Sequence, residues 1–254
     1  MVKSVKRSLD LLQILGSENK KFSIAELSSI SGLPPSTIHR LLLTLKEYRF
    51  VNQDELSSLY YLGPSLVTLG IKASSYIDIR KSAIPIMRNL ANTTGEDSYL
   101  TISDGNKGIF LERVAGPHPL KIIDPFSTQV PLHCGALRKV LLANKDEAFI
   151  NDYLNNKLKT FTEHTITDSD LLLVELEKIK KLDFAISIGE YIKDAVGIGA
   201  PVRDKFGNVI ASLGIIGPIT RLTEDKHSEL INLVKQCAQE LSFSQGYHPL
   251  NRID

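Results

Sequence analysis

The 254-residue sequence contains no tryptophan and only two cysteines, Cys134 and Cys237. Two thiols are too few for a disulfide framework, and their scarcity fits a reducing compartment, so a cytoplasmic location is expected. No apolar run approaches the roughly 20 residues that span a bilayer, so no membrane partner is expected either. The opening MVKSVKRSLDLL has basic residues but no apolar core behind them, which argues against a signal peptide. An excess of one charge is also missing, since the formal net charge is +1. Over residues 1–63 eight Lys/Arg face six Asp/Glu, an excess of two. Any nucleic-acid affinity must therefore come from where a few basic groups are placed and from several copies acting together.

Catalytic and metal signatures are equally sparse. His133 and Cys134 are adjacent, and neighbours in a chain rarely point the same way; no second His or Cys stands at ligand spacing. Gly197-Ile198-Gly199 runs into Ala-Pro rather than into a helix with a third glycine, so it is no dinucleotide fingerprint. Glu96-Asp97, Asp168 and Asp170 have no partners that mark an acid/base pair, and acidic residues at helix starts are usually caps. The chain is expected to be no enzyme and to need no cofactor or metal.

What is present centres on Ser23–Leu62. Ser23 with Glu26 forms a capping box, so a helix starts there, with Ile24, Leu27 and Ile30 as its apolar stripe. Gly32 ends it, and Pro34-Pro35 cannot continue it. A second helix opens at Pro35 or Ser36, with Ile38, Leu41, Leu42 and Leu45 inward. Two helices joined in this way form a helix-turn-helix, whose second helix can enter a major groove. Ser36, Thr37, His39, Arg40 and Lys46 occupy its free face. Ser36 and Thr37 stand at the end that meets bases and phosphates, and Arg40 can fork onto a guanine edge or a phosphate. Phe50–Gln53 and Leu59–Leu62 around a polar turn read as the wing, with Ser58 a further candidate DNA contact. A small helical domain with a solvated polar face would show the same pattern.

LPPSTIHRLLLTLKEYRFV followed by YYLGPSLVTLG resembles the N-terminal domain of the IclR family of bacterial and archaeal transcription regulators. VPLHCGALRKVLLA resembles the family's PLH-T-ALGKALLA segment, and GEYIKDAVGIGAPVRDKFGNVIASLGIIGP its C-terminal signature. Three motifs in the family's order cover most of the chain. The resemblance implies a transcription regulator that binds double-stranded operator DNA and a small-molecule effector, a metabolite or organic acid. It also implies a homo-oligomer, a dimer or a dimer of dimers.

Val5, Leu9, Leu12 and Leu15 are expected to form the core stripe of a first helix, with Leu11 and Ile14 off it. That helix packs behind the reading pair and, by resemblance, supplies a surface on which two such domains meet. Ser65–Ile77 reads as a linker helix and Asp78–Thr94 as another, with Pro85 near its start or kinking it. Asp97–Ser103, Gly108–Gly116 and Leu120–Asp124 read as antiparallel strands. Helices follow over His133–Asn144, Asp146–Asn156 and Asp168–Lys181, then strands at Phe184–Ile188, Gly197–Arg203 and Val209–Ile216. Thr223–Gln245 is a closing amphipathic helix. The fold class is α+β: a winged helix-turn-helix over 1–63, a linker helix over 64–77, and over 78–254 a sensor and oligomerisation domain, GAF-like by resemblance.

Two stretches suit close backbone approach to a ligand: His133–Leu137 at a helix start, and Ala195–Pro201 with glycines inside a strand. Strand packing explains such glycines equally well. The resemblance maps an effector pocket onto Ile122, Ala136, Leu137, Ser187, Ala195, Gly197, Gly214 and Ile216. The family often has a small hydrophilic residue or cysteine at Gly197, serines at Gly214 and Ile216, and glycine at Arg138. A pocket without those anchors suits a larger or more apolar effector, or one held by backbone groups, unless Arg138 supplies the anion contact. A ligand-binding adaptor whose winged domain contacts proteins is the alternative function, and a hydrolase using Cys134 a third.

Overall fold

The computed structural model describes residues 2–18, 20–75, 79–122 and 129–247. The chain divides into two compact units, Met1–Asp78 and Ile79–Asp254.

In the N-terminal unit, helix α1 (Lys3–Gly16) precedes α2 (Ile24–Ser31) and α3 (Pro35–Glu47). Ser23 and Glu26 close the capping box reciprocally, and Gly32 ends α2 at φ 69°. Leu11, Leu15, Leu27, Ile38, Leu42 and Val51 are among the residues that pack into one core. Strands β1 (Val51–Gln53) and β2 (Tyr60–Leu62) form the antiparallel wing, and Phe22 bridges to Tyr60. The expected stripe of α1 is corrected. Leu11 and Leu15, one turn apart, face the core, while Val5 and Leu9 are more than half exposed. Leu12 and Ile14 flank the buried pair, so the inward face is rotated away from Val5. Ile30 likewise points outward, leaving Leu27 as the buried residue of α2. Helix α4 (Pro64–Ser75) follows; the expected end of the linker helix at Tyr76–Ile77 lies outside the described residues.

In the C-terminal unit, α5 (Ile79–Thr94) leads into β3 (Asp97–Asp104) and β4 (Lys107–Val114). A two-residue strand β5 (Val130–Pro131) precedes α6 (Ala136–Ala143), α7 (Glu147–Leu154) and α8 (Ser169–Leu182). Then come β6 (Ala185–Ile188), β7 (Ala195–Arg203), β8 (Val209–Pro218) and α9 (Glu224–Ser244). The strands form one antiparallel sheet in the order β5-β4-β3-β8-β7-β6. Side chains alternate across a strand. On β7, Gly197 and Gly199 face α6, whereas Ala200 shares a crevice with Ala238 of α9. Thus α6 covers one face of the sheet and α9 the other.

Two expectations change here. Leu120–Ile122 form no strand, and Ile123–Asp124 lie outside the described residues. The helix expected from His133 begins at Ala136, because Gly135 takes φ 84°, a left-handed turn that glycine permits, and so stands as its N-cap. Caps elsewhere follow the sequence: the Asp146 carboxylate accepts from Phe149 N–H, and Asp168 from Leu171 N–H.

Candidate functional site

The outward face of α3 carries Ser36, His39 and Arg40, all exposed, with Thr37 half-buried. Ile38, Leu42 and Leu45 on the same helix are buried, so the core fixes which side is free. Lys46 is tied to the wing: its Nζ donates to Gln53 Oε1 at 3.0 Å, and Gln53 Nε2 donates to the Ser58 carbonyl at 3.2 Å. Ser58 itself is exposed, at φ 58°. The wing turn is held by Asp54, whose Oδ1 accepts from Leu56 N–H and Ser57 N–H while Oδ2 pairs with Lys21. Those partners stabilise the charged carboxylate, the Lys21 hydrogen bond most, and hold Asp54 well below the usual carboxylate range. A groove runs between α3 and α1, lined by Thr37, Arg40 and Thr44 on one side and Ser4, Arg7 and Ser8 on the other. Reading the two-helix motif alone missed Arg7, which lies one helix away in sequence but on the same groove.

The C-terminal unit holds a narrow cleft of about 30 Å³ that opens to solvent. Its position follows from register: Ser187, Gly197 and Ile216 are successive partners across β6, β7 and β8. Ala195, Ala136, Leu137 and Arg138 complete the expected residues found in the lining. A side chain at Gly197 would meet Ala136 Cβ at an ordinary 3.5 Å, so this glycine leaves the cleft open. Gly214 serves another purpose. A Cβ there would stand 2.0 Å from the Ile198 carbonyl oxygen, so its missing side chain lets β7 and β8 approach, and it does not line the cleft. Ile122 is half-buried and is not in the lining.

Phe110, Glu190, Tyr191 and Ile192 line the cleft without having been picked out in the sequence. Arg138 is 4% exposed, and its Cζ lies 4.9 Å from the Phe110 ring centre and 4.8 Å from that of Tyr191. Beside it, Glu190 Oε2 accepts from Gly135 N–H at 3.1 Å and Oε1 from Lys139 Nζ at 2.6 Å. Lys139, 1% exposed, also donates to Glu175 Oε1 at 3.0 Å and to the Ile186 carbonyl at 3.3 Å. One buried ammonium thereby joins the cleft wall to α8.

His133, set apart in the sequence as a weak catalytic candidate, is fully enclosed. Its Nε2 donates to the Lys159 carbonyl at 2.9 Å, which leaves Nδ1 to accept from the Tyr153 hydroxyl at 2.8 Å. Burial lowers its pKa and pushes that of Tyr153 up to about 12. Cys134 is buried, with its Sγ 3.7 Å from the Pro131 carbonyl. Both residues brace the turn before α6. Among the described residues no group of three or more His, Cys, Asp or Glu is arranged to hold a metal ion. Among them, too, no helix is long and apolar enough to cross a membrane.

Residues 4–55 match the IclR helix-turn-helix domain, and residues 71–243 match the bacterial transcriptional regulator IclR C-terminal domain. The HTH-type transcriptional regulator KdgR of Dickeya chrysanthemi is 32% identical over 97% of this chain and 81% of its own length. An IclR transcriptional regulator from Alicyclobacillus acidocaldarius superposes with a TM-score of 0.87, at 24% identity, over 97% of this chain and all of that one. An IclR homolog complexed with 4-hydroxybenzoate, from Microbacterium hydrocarbonoxydans, gives a TM-score of 0.83 at 20% identity, over 95% and 98% of the two chains. With both domain models matched in order along one chain, the protein belongs to the IclR family and is a DNA-binding transcription regulator under the control of a small-molecule effector.

Proposed function

We propose that residues 1–63 read operator DNA through Ser36, Thr37, His39 and Arg40 of α3, with Lys46 and Ser58 placing the wing, and that 78–254 sense the effector in the cleft beneath α6. The observation that carries the DNA half is the split of α3: Ile38, Leu42 and Leu45 are spent on the core while Ser36, His39 and Arg40 stay in solvent. A helix entering a major groove needs that division, with the polar side chains of its first turns free to meet base edges.

The effector half rests on a mostly apolar cleft with a few polar groups, the usual composition of a small-molecule site. The bound 4-hydroxybenzoate in the Microbacterium homolog supports a small organic acid as the class of effector. Two or four copies would set their reading helices about one turn of duplex apart on a pseudo-palindromic site. The exposed Val5 and Leu9 on α1, with Val2 just before it, support a meeting of two N-terminal units there. Effector binding then favours one arrangement of sensor units, and the connecting segment that begins with α4 passes the change to the spacing of the reading heads. The protein works on DNA in the cytoplasm and catalyses no reaction.

The test is a gel shift of the full-length protein on the DNA upstream of its own gene. A retarded band that Arg40→Ala loses supports the reading. Retention of no fragment, with the protein instead capturing another protein through its winged unit, would establish the adaptor alternative.

A further inference from the structure

The last turn of the reading helix is fastened to the first turn of α4. Helix α3 closes in a left-handed turn: Phe50 N–H donates to the Leu45 carbonyl at 2.8 Å and Arg49 N–H to the Lys46 carbonyl at 3.0 Å. Arg49, at φ 59°, takes the left-handed position that glycine usually fills. The carbonyls of Tyr48, Arg49 and Phe50 then need donors from outside the helix. Gly63 N–H donates to the Phe50 carbonyl at 2.7 Å, and Ser65 N–H to the Arg49 carbonyl at 3.1 Å. The Ser65 hydroxyl donates to the Tyr48 carbonyl at 2.8 Å. The first N–H groups of a helix lack partners within it, so the start of α4 and the end of α3 complete each other. The Gly63 bond extends the β1–β2 ladder by one pair beyond Val51 and Leu62. The two bonds from Ser65 lie outside that ladder and tie α4 to α3 directly. A Cβ at Gly63 would overlap the Arg49 carbonyl oxygen, so this close approach needs glycine there.

We propose that Ser65 is a positioning residue for DNA reading. It makes α3 and α4 one stiff arm, so that the direction of α4 fixes how the reading helices of two copies are spaced along a duplex. This rests on the reading of α3 as the DNA-contacting helix of a homo-oligomer. Ser65 meets α3 at the end opposite Ser36 and Thr37, so it acts through the helix and not on a base. Two donors on one residue, bound to successive carbonyls, leave the joint no free torsion. A flexible tether at this point would let each head find its own half-site, and spacing would then carry no information.

The test uses the full-length protein and duplexes with two copies of a half-site, taken from DNA selected out of random sequence with the parent. The spacing between half-sites is shifted by one and two base pairs either way, and affinity is read by fluorescence anisotropy. The parent should lose about tenfold or more at a two-base-pair shift, because the heads must then turn about the duplex as well as separate. Ser65→Ala should reduce that penalty several-fold, as the loss of one hydrogen bond allows, and leave affinity for a single half-site unchanged. Ser65→Thr, which keeps the hydroxyl, should behave as the parent does. A Gly-Gly insertion between Gly63 and Pro64 should erase the penalty. The proposal is overturned if the parent tolerates the shifts. It is equally overturned if Ser65→Ala and the insertion both keep the parent's penalty, which would leave spacing to the contact between α1 helices. Weaker binding of a single half-site by Ser65→Ala, with the penalty unchanged, would also overturn it and make Ser65 a support of α3 alone. In those cases α3 remains the reading helix. If Arg40→Ala binds the selected half-site as the parent does, α3 is not the reading helix and both readings fall.

Discussion

Lys139 Nζ lies 2.6 Å from Glu190 Oε1, with the lysine 1% and the glutamate 7% exposed. A buried pair of this kind adds little net stability over an apolar pair, but breaking it strands a charge in a poor solvent. Lys139→Met should therefore cost about 3–5 kcal/mol, and Glu190→Gln less, because Lys139 keeps Glu175 Oε1 at 3.0 Å. The double variant should cost clearly less than the two added together, because both buried charges go and only Glu175, whose side chain is 23% exposed, is left without the lysine. Urea unfolding of the four proteins checks this; strict additivity would mean that the two groups do not act as a pair.

Acid should loosen the turn before α6 through His133. Burial lowers the pKa of this imidazole below its ordinary value near 6.5, so the unfolded chain takes up the proton first. The stabilisation from keeping it neutral is complete above about pH 6.5 and is lost as the pH falls below that value. Thermal melts of the parent should drop between pH 7 and 5 more steeply than those of His133→Gln. Parallel slopes for the two proteins would remove His133 as the group responsible.

Much of the fold was legible because its signals are local. The Ser23–Glu26 box, the Pro34-Pro35 start and the Asp146 and Asp168 caps each act within one helical turn, and each appears where the spacing predicts. The face of α1 was misread because Val5, Leu9 and Leu11 are alike in hydropathy; only the packing of α2 and α3 decides which of them turns inward. Gly197, Gly199 and Gly214 look alike in sequence for the same reason. Their roles separate only when β7 meets β8 and α6 lies over both, opening a cleft at the first, seating Leu137 at the second and admitting a backbone at the third. Phe110 and Tyr191 carry no mark of the cleft except their distance from the Arg138 guanidinium, which no spacing reveals.

Arg40 and Arg7 line one groove but should behave differently on DNA. Arg40 stands on the reading helix, so Arg40→Ala should weaken binding to the selected operator by at least about tenfold, matching the 1–3 kcal/mol of a bidentate base contact. Arg7 stands behind it on α1, where a phosphate is the expected partner. Arg7→Ala should lower affinity by similar factors for operator and random DNA, and reduce the slope of log affinity against log salt by about one. Fluorescence anisotropy over a salt series, on an operator selected from random DNA with the parent protein, measures both. Equal losses on random DNA for Arg40→Ala would reassign it to positioning.

Three of the four glycines of the β7–β8 pair, Gly197, Gly199 and Gly214, allow a sharper test of the cleft geometry. At Gly197 a new methyl group would sit 3.5 Å from its nearest neighbour, so Gly197→Ala should change stability by no more than about 0.5 kcal/mol, the usual range for a substitution without a clash. At Gly199 the methyl would press on Leu137 Cα at 3.0 Å, and α6 must shift or the sheet must give. Gly199→Ala should cost about 1–3 kcal/mol, as overpacking does. At Gly214 the methyl would stand 2.0 Å from the Ile198 carbonyl oxygen, a backbone atom that a rotamer change cannot move aside. Gly214→Ala should therefore be the worst of the three, costing more than about 4 kcal/mol and melting lowest in a thermal scan. The order of the three melting points is the prediction, because it follows from distances set by one register of β7 on β8. If Gly197→Ala melted lowest, the register that opens the cleft beside Ser187 and Ile216 would be wrong, and the cleft with it.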